Sequence, residues 1–171
     1  MNTFIIGLLA FMLMLFPNSG GLQYQYQMRT FDTVTTLNSI MDAIETRDVN
    51  ALEAMMCRNI KRNVGDLPGK IGELIDAVDG KITGWDWWPN SGYDGAKSGK
   101  KIMQKGWTIQ LETVNGSYFL VVRWEIANNF APEEIGMRAI ALFDKDNKLL
   151  ADIKATEGVG GWLYFFSLLV Y

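Results

Sequence analysis

Three tryptophans, two acids and a tyrosine fall within twelve residues, in the stretch GWDWWPNSGYDG spanning positions 84–95. Aromatic faces beside carboxylates suit a sugar ring or a cationic ligand, because the ring takes the apolar side and the acid takes the polar groups. Alternation along a strand separates the set: Trp85 and Trp87 share one face, while Asp86 and Trp88 share the other. Burying a tryptophan removes a large area from water, so Trp85 and Trp87 are expected in the core. Asp86, Trp88, Tyr93 and Asp94 are the candidate ligand-binding residues. A catalytic version has Asp86 as a buried base and Tyr93 or Tyr118 as hydrogen-bond donor to a carbonyl, the chemistry of an isomerase or dehydratase.

Other chemistries are excluded by composition. The chain contains no histidine and one cysteine, Cys57. Imidazole bases, imidazole metal ligands, Ser-His and Cys-His nucleophile pairs, an internal disulfide and multi-thiolate zinc sites are therefore all absent. Cys57 follows Ala54, Met55 and Met56 in a helical pattern and reads as a small core residue. Asp144, Asp146 and Asn147 are interleaved with Lys145 and Lys148, and Ala155 stands where a calcium loop needs its last glutamate, so a solvated turn is expected and no metal. No cofactor is implied. The net charge of −3 and a pI near 5.0 argue against nucleic acid. The basic groups Arg58/Lys61/Arg62 and Lys97/Lys100/Lys101/Lys105 read as solvated faces.

These residues need a scaffold, and 171 residues suffice for one domain plus an address. Residues 4–16 are an uninterrupted apolar run ended by Pro17-Asn18-Ser19-Gly20-Gly21. As a helix the run would reach about 20 Å against a hydrocarbon core of about 30 Å, the length of a signal-peptide core. Residues 1–21 are thus read as a signal peptide or N-terminal anchor, with a mature start near Gly21 or Leu22, a secreted or extracytoplasmic location, and membrane association through this segment in the anchor case. Residues 22–32 read as a linker, 33–157 as one domain, and 158–171 as an apolar tail.

Inside the domain, Val34, Leu37, Ile40, Met41 and Ile44 have helical spacing behind Asp32 or Thr33 as N-cap, giving a helix over 33–46. Asp48 caps a second helix with Ala51, Leu52, Met55, Met56 and Ile60 on one face. Asp66 and Pro68 open a third, carrying Ile71, Leu74, Ile75 and Val78 and stopped at Gly80. Strands follow at 81–88, 102–112, 118–126, 135–143 and 149–154, with 89–100 a long loop and Asn115-Gly116 a hairpin turn of the kind that accepts positive φ. Helices first and a meandering antiparallel sheet afterwards define the α+β class.

Residues 40–55, IMDAIETRDVNALEAM, resemble the opening of nuclear-transport-factor-2-like (cystatin-like) domains. Residues 79–85, DGKITGW, the hairpin at Asn115-Gly116, and residues 132–140, PEEIGMRAI, resemble a family of short bacterial exported proteins, many of them lipoproteins, catalogued as a domain of unknown function. The resemblance implies N-terminal helices packed on a curved antiparallel sheet, a cone with a pocket. It carries no catalytic residues, and no lipid-anchor cysteine lies between Phe16 and Gly21. The function expected is a non-enzymatic exported domain binding a small molecule, a glycan or other cell-envelope component, or a protein. The alternatives are the carboxylate enzyme above and a homodimeric assembly module.

Overall fold

The computed structural model describes residues 20–97 and 99–154, with the backbone alone at Gly20 to Gln23, Ser91, Tyr93 and Lys97. The expected N-terminal address and apolar tail therefore lie outside the described residues, except that Gly20 and Gly21 open the first helix, α1 (Gly20–Thr30).

That helix replaces the expected linker. Its Gln-Tyr repeat shows no apolar period, yet Tyr24, Gln27 and Phe31 recur at helical spacing on one side. Tyr24 is buried. Gln27 accepts a hydrogen bond from the Asn128 backbone through Oε1 at 3.0 Å, and Phe31 stacks on Trp107 at 5.8 Å between ring centroids. Tertiary docking of polar and aromatic groups stabilises a helix whose hydropathy gave no signal.

Helix α2 (Thr33–Glu45) is capped by Asp32, which accepts from the backbone N–H groups of Val34 and Thr35. Leu37, Ile40, Met41 and Ile44 are buried as expected, whereas Val34, in the first turn, points to solvent. The single second helix expected through Ile60 is two: α3 (Val49–Ala54), capped by Asp48, and α4 (Arg58–Asn63). The break has a backbone cause. Met137 donates its N–H to the Met55 carbonyl at 2.8 Å, and Cys57 donates to the Met137 carbonyl at 3.0 Å, so a strand takes the groups a helix would have used. Helix α5 (Leu67–Asp76) starts at Asp66 and ends before Gly80, whose φ of +87° serves the following turn.

The five described strands form one antiparallel meander, β1 (Ile82–Lys97), β2 (Lys100–Thr113), β3 (Ser117–Asn128), β4 (Gly136–Asp144) and β5 (Leu149–Lys154), in that spatial order. With the helices first and a curved, unclosed sheet after them, the α+β expectation holds. The long loop expected at 89–100 is instead the far half of β1 and the start of β2, turning at Gly99 (φ +79°). Pro89, Asn90 and Gly92 looked like loop formers. They sit at a register shift between Pro89 and Gly92, in an edge strand of the described sheet, where a missing N–H is tolerated.

The hairpin between β2 and β3 is present, but neither Asn115 nor Gly116 takes positive φ. Thr113 organises the turn. Its backbone N–H donates to the Gly116 carbonyl at 2.8 Å, its hydroxyl donates to the Asp79 carbonyl at 2.7 Å, and that oxygen accepts from Asn115 and Gly116. The Asp144 turn is of the expected solvated kind, with one carboxylate oxygen accepting from the backbone of Asp146 and of Lys148, each at 2.9 Å.

The sheet has two unlike faces. Trp107, Ile109 and Leu111 of β2, Leu120, Val122 and Ile126 of β3, and Ile140 and Leu142 of β4 pack with the helices into the main core. Trp85 and Trp87 pack against that core, as alternation required, and Cys57 is buried in it. The opposite face carries Asp86 and Trp88 of β1, Thr108 and Gln110 of β2, Phe119, Val121, Arg123 and Glu125 of β3, and Ala139, Ala141 and Phe143 of β4, in cross-strand register.

Candidate functional site

The sequence-selected site residues with described side chains, Asp86, Trp88 and Asp94, do not converge on one site. Asp86 is exposed and its carboxylate accepts from the next backbone N–H, that of Trp87, at 2.7 Å. Trp88 is 37 % exposed and lies edge-on to Phe119 at 6.4 Å. Asp94 accepts a 2.9 Å hydrogen bond from the Tyr24 hydroxyl, and Tyr93 is described by its backbone in β1. Because the stretch is strand and not loop, Asp86 and Asp94 stand roughly 25 Å apart along it. The catalytic version fails as well. Asp86 is not a buried carboxylate, and Tyr118 belongs to the helix-side face, where its hydroxyl accepts from the Asp79 backbone at 3.2 Å.

A cavity forms elsewhere among the described residues, where α1 meets α2 over the sheet. It is a groove of about 360 Å³ lined by Gln27, Thr30, Phe31, Asp32, Thr35, Thr36, Trp124, Ile126 and Ile135. The floor is apolar and aromatic. Phe31 is clamped between Trp107 behind it and Trp124, whose ring centroid is 6.2 Å away. A hydrophobic residue just before an N-cap fixes the angle at which the chain enters a helix, and here Phe31 does so by docking on the sheet.

The rim is polar and mostly accepting. The hydroxyl of Thr30 donates to the Tyr26 carbonyl at 2.9 Å, that of Thr36 to the Asp32 carbonyl at 2.7 Å, and that of Thr35 to Asp32 Oδ2 at 2.8 Å. Each hydroxyl proton is committed to an acceptor within the same segment, so a further partner would meet the oxygen lone pairs. The Thr35 hydroxyl, then the Thr35 and Val34 backbone N–H groups, hold the Asp32 carboxyl below its ordinary value, so it is ionised near neutral pH. Gln27 uses its oxygen on Asn128 and keeps its amide donors.

A second polar cluster lies on the opposite face. Glu125 is fully buried and its oxygens accept from Gln104 Nε2 at 3.0 Å, Asn128 Nδ2 at 2.6 Å and Arg138 Nη1 at 2.5 Å. Asn128 in turn accepts from the backbone of Phe130 and of Ala131. Burial and the neighbouring Arg138 push the Arg123 guanidinium below its ordinary value. Glu125 is thereby spent on holding three strands and the 129–131 turn together. Among the described residues no group of three or more Cys, Asp or Glu side chains is placed to hold a metal ion.

The groove was invisible to motif reading because its residues come from three separate segments. The one signal was the spacing of Gln27 and Phe31, read as linker.

A meander sheet with helices on one face and an open groove at their seam defines an α+β domain. The chain belongs to the family described as Domain of unknown function (DUF5104), whose model matches residues 39–145, more than half of the chain. No curated protein is significantly similar to it. Trp124, Ile126 and Ile135 lie within the matched region, whereas the α1 and first-turn α2 residues of the groove precede it.

Proposed function

We propose that this protein is an exported, non-enzymatic binding domain whose ligand is a small polar molecule with one apolar face, the pattern of a sugar ring in a cell-envelope glycan. The observation that carries the reading is the groove, in which the half-buried rings of Phe31 and Trp124 form the floor and hydroxyl and carboxylate acceptors form the rim. Ligand sites pair an apolar wall with a few convergent polar groups in about 300–1,000 Å³, and this groove lies at the lower end. Its acceptors ask for a ligand rich in hydroxyl or amine donors. The NTF2-like cone belongs to this proposal, supported by the order of helices and meander and by a groove where such a cone opens. Export is supported by the apolar run at residues 4–16, and would be checked by the N-terminus of protein recovered from its native cell, expected near Gly21.

The test of the groove is a titration of the full chain with mono- and oligosaccharides, followed by tryptophan fluorescence and calorimetry, with small amines and carboxylic acids as comparison arms. Saccharide binding that Trp124→Ala abolishes and Trp88→Ala leaves intact is the expected result. Binding that depends on Trp88 and survives Trp124→Ala would return the site to β1 and overturn the groove.

A further inference from the structure

Over β3 and β4, the sheet face opposite the helices is buried where an open sheet should be wet. Val121, Ala139, Ala141 and Phe143 form a cluster separate from the main core, at 3 %, 1 %, 0 % and 5 % exposure, with Phe119 packed against it. Register places them together: Val121 pairs with Ala141, and Arg123 with Ala139. An antiparallel sheet with one solvated face carries polar residues there. These four are apolar, and the two alanines leave a shallow trough between Val121 on β3 and the Asp152 and Lys154 positions of β5, which pair with Ala141 and Ala139.

We propose that the apolar C-terminal segment, residues 158–171, folds back over this trough and is its cover. Lys154, the last described residue, pairs with Ala139, so the segment follows in sequence a few residues after a position beside the patch. Glycines at 158, 160 and 161 allow the chain to reverse, and WLYFFSLLVY at 162–171 has one non-aromatic polar residue, Ser167. Ten extended residues reach about 33 Å, more than the roughly 24 Å width of five strands, so the segment is long enough to cross the face. The same ten residues are too few to span a bilayer as a helix.

Accessibility of a thiol in the trough tests this in the full chain. Ala141→Cys changes little in size, and the native Cys57 is buried and slow to react. Labelling of the introduced thiol is expected to be slow with the native tail, and at least about tenfold faster when Leu163→Glu and Phe165→Glu are added, with unchanged circular dichroism, as a local opening would give. Equal rates with and without the tail substitutions overturn the proposal. Protection that disappears on dilution identifies a second copy as the cover, and protection that appears only with phosphatidylethanolamine/phosphatidylglycerol vesicles identifies lipid; either result also overturns it. Should Ala141→Cys not fold, Ala139→Cys reads the same trough.

Discussion

Arg138 stands at a bulge in β4, between the pairs Trp124–Met137 and Arg123–Ala139, and from there its Nη1 reaches Glu125 Oε2 at 2.5 Å. The extra residue of the bulge is what turns Arg138 toward the face that Glu125 occupies. Glu125 has no exposed surface, while the Arg138 side chain keeps 28 % of its own.

A buried carboxylate that loses its cation is left charged in a poor solvent. Arg138→Ala is therefore expected to destabilise the fold by about 3 kcal/mol, at the low end for such pairs because Gln104 and Asn128 still donate to Glu125. Adding Glu125→Gln should recover much of that loss. Urea denaturation of the two variants decides it, and a double variant no better than the single would show that the pair does not act as a unit.

Gly136 has φ +136°, and a Cβ there would sit 2.8 Å from the Met55 carbonyl oxygen and 3.1 Å from the Cys57 backbone nitrogen. Both contacts are backbone, which cannot swing aside. Gly136→Ala should cost about 2 kcal/mol and loosen the α3–α4 break from β4. Thermal melting gives the first effect, and amide exchange at Cys57 and Met137 gives the second.

Tyr24 is pushed from its ordinary 10.0 up to about 12 by burial, then by its hydrogen bond to Asp94 and that carboxylate's charge. The folded value lies above the unfolded one, so the neutral phenol stabilises the fold fully below about pH 10 and that contribution is lost as pH rises through about 12. An ultraviolet titration should show a late tyrosine that Tyr24→Phe removes and Asp94→Asn moves downward. A titration unchanged by Tyr24→Phe would refute the assignment.

Thr113→Val keeps the shape of the side chain and removes the hydroxyl that serves Asp79, Asn115 and Gly116. A loss of about 1–2 kcal/mol is expected by chemical denaturation, because backbone groups of the turn lose partners together. Asn115→Ala should matter less, since that residue does not use positive φ.

Tryptophans on the two faces should differ sharply. Trp107, 2 % exposed beneath Phe31, should cost about 3–5 kcal/mol on truncation to alanine, and partly exposed Trp88, edge-on to Phe119, about 1 kcal/mol or less. Equal losses in denaturant midpoint would mean that β1 is as much core as β2.

Local rules made much of this legible in the sequence. Caps at Asp32, Asp48 and Asp66, the apolar face of α2, the meander order, and the division of Trp85 and Trp87 from Asp86 and Trp88 all follow from periods of 3.6 and 2 and from short side chains that satisfy helix ends. Composition alone excluded histidine chemistry, an internal disulfide and multi-thiolate zinc sites.

What only the tertiary structure decided has a common physical reason: each case trades a local preference for a distant partner. Residues 20–30 became helix because Tyr24 and Gln27 dock on the core and on β3. Residues 89–97 became strand because β2 supplies a partner for them despite Pro89. The second helix broke because Met137 claims its backbone. The candidate site moved for the same reason, from a contiguous motif stretched out along one strand to a groove that exists only when Gln27, Phe31 and Trp124 meet.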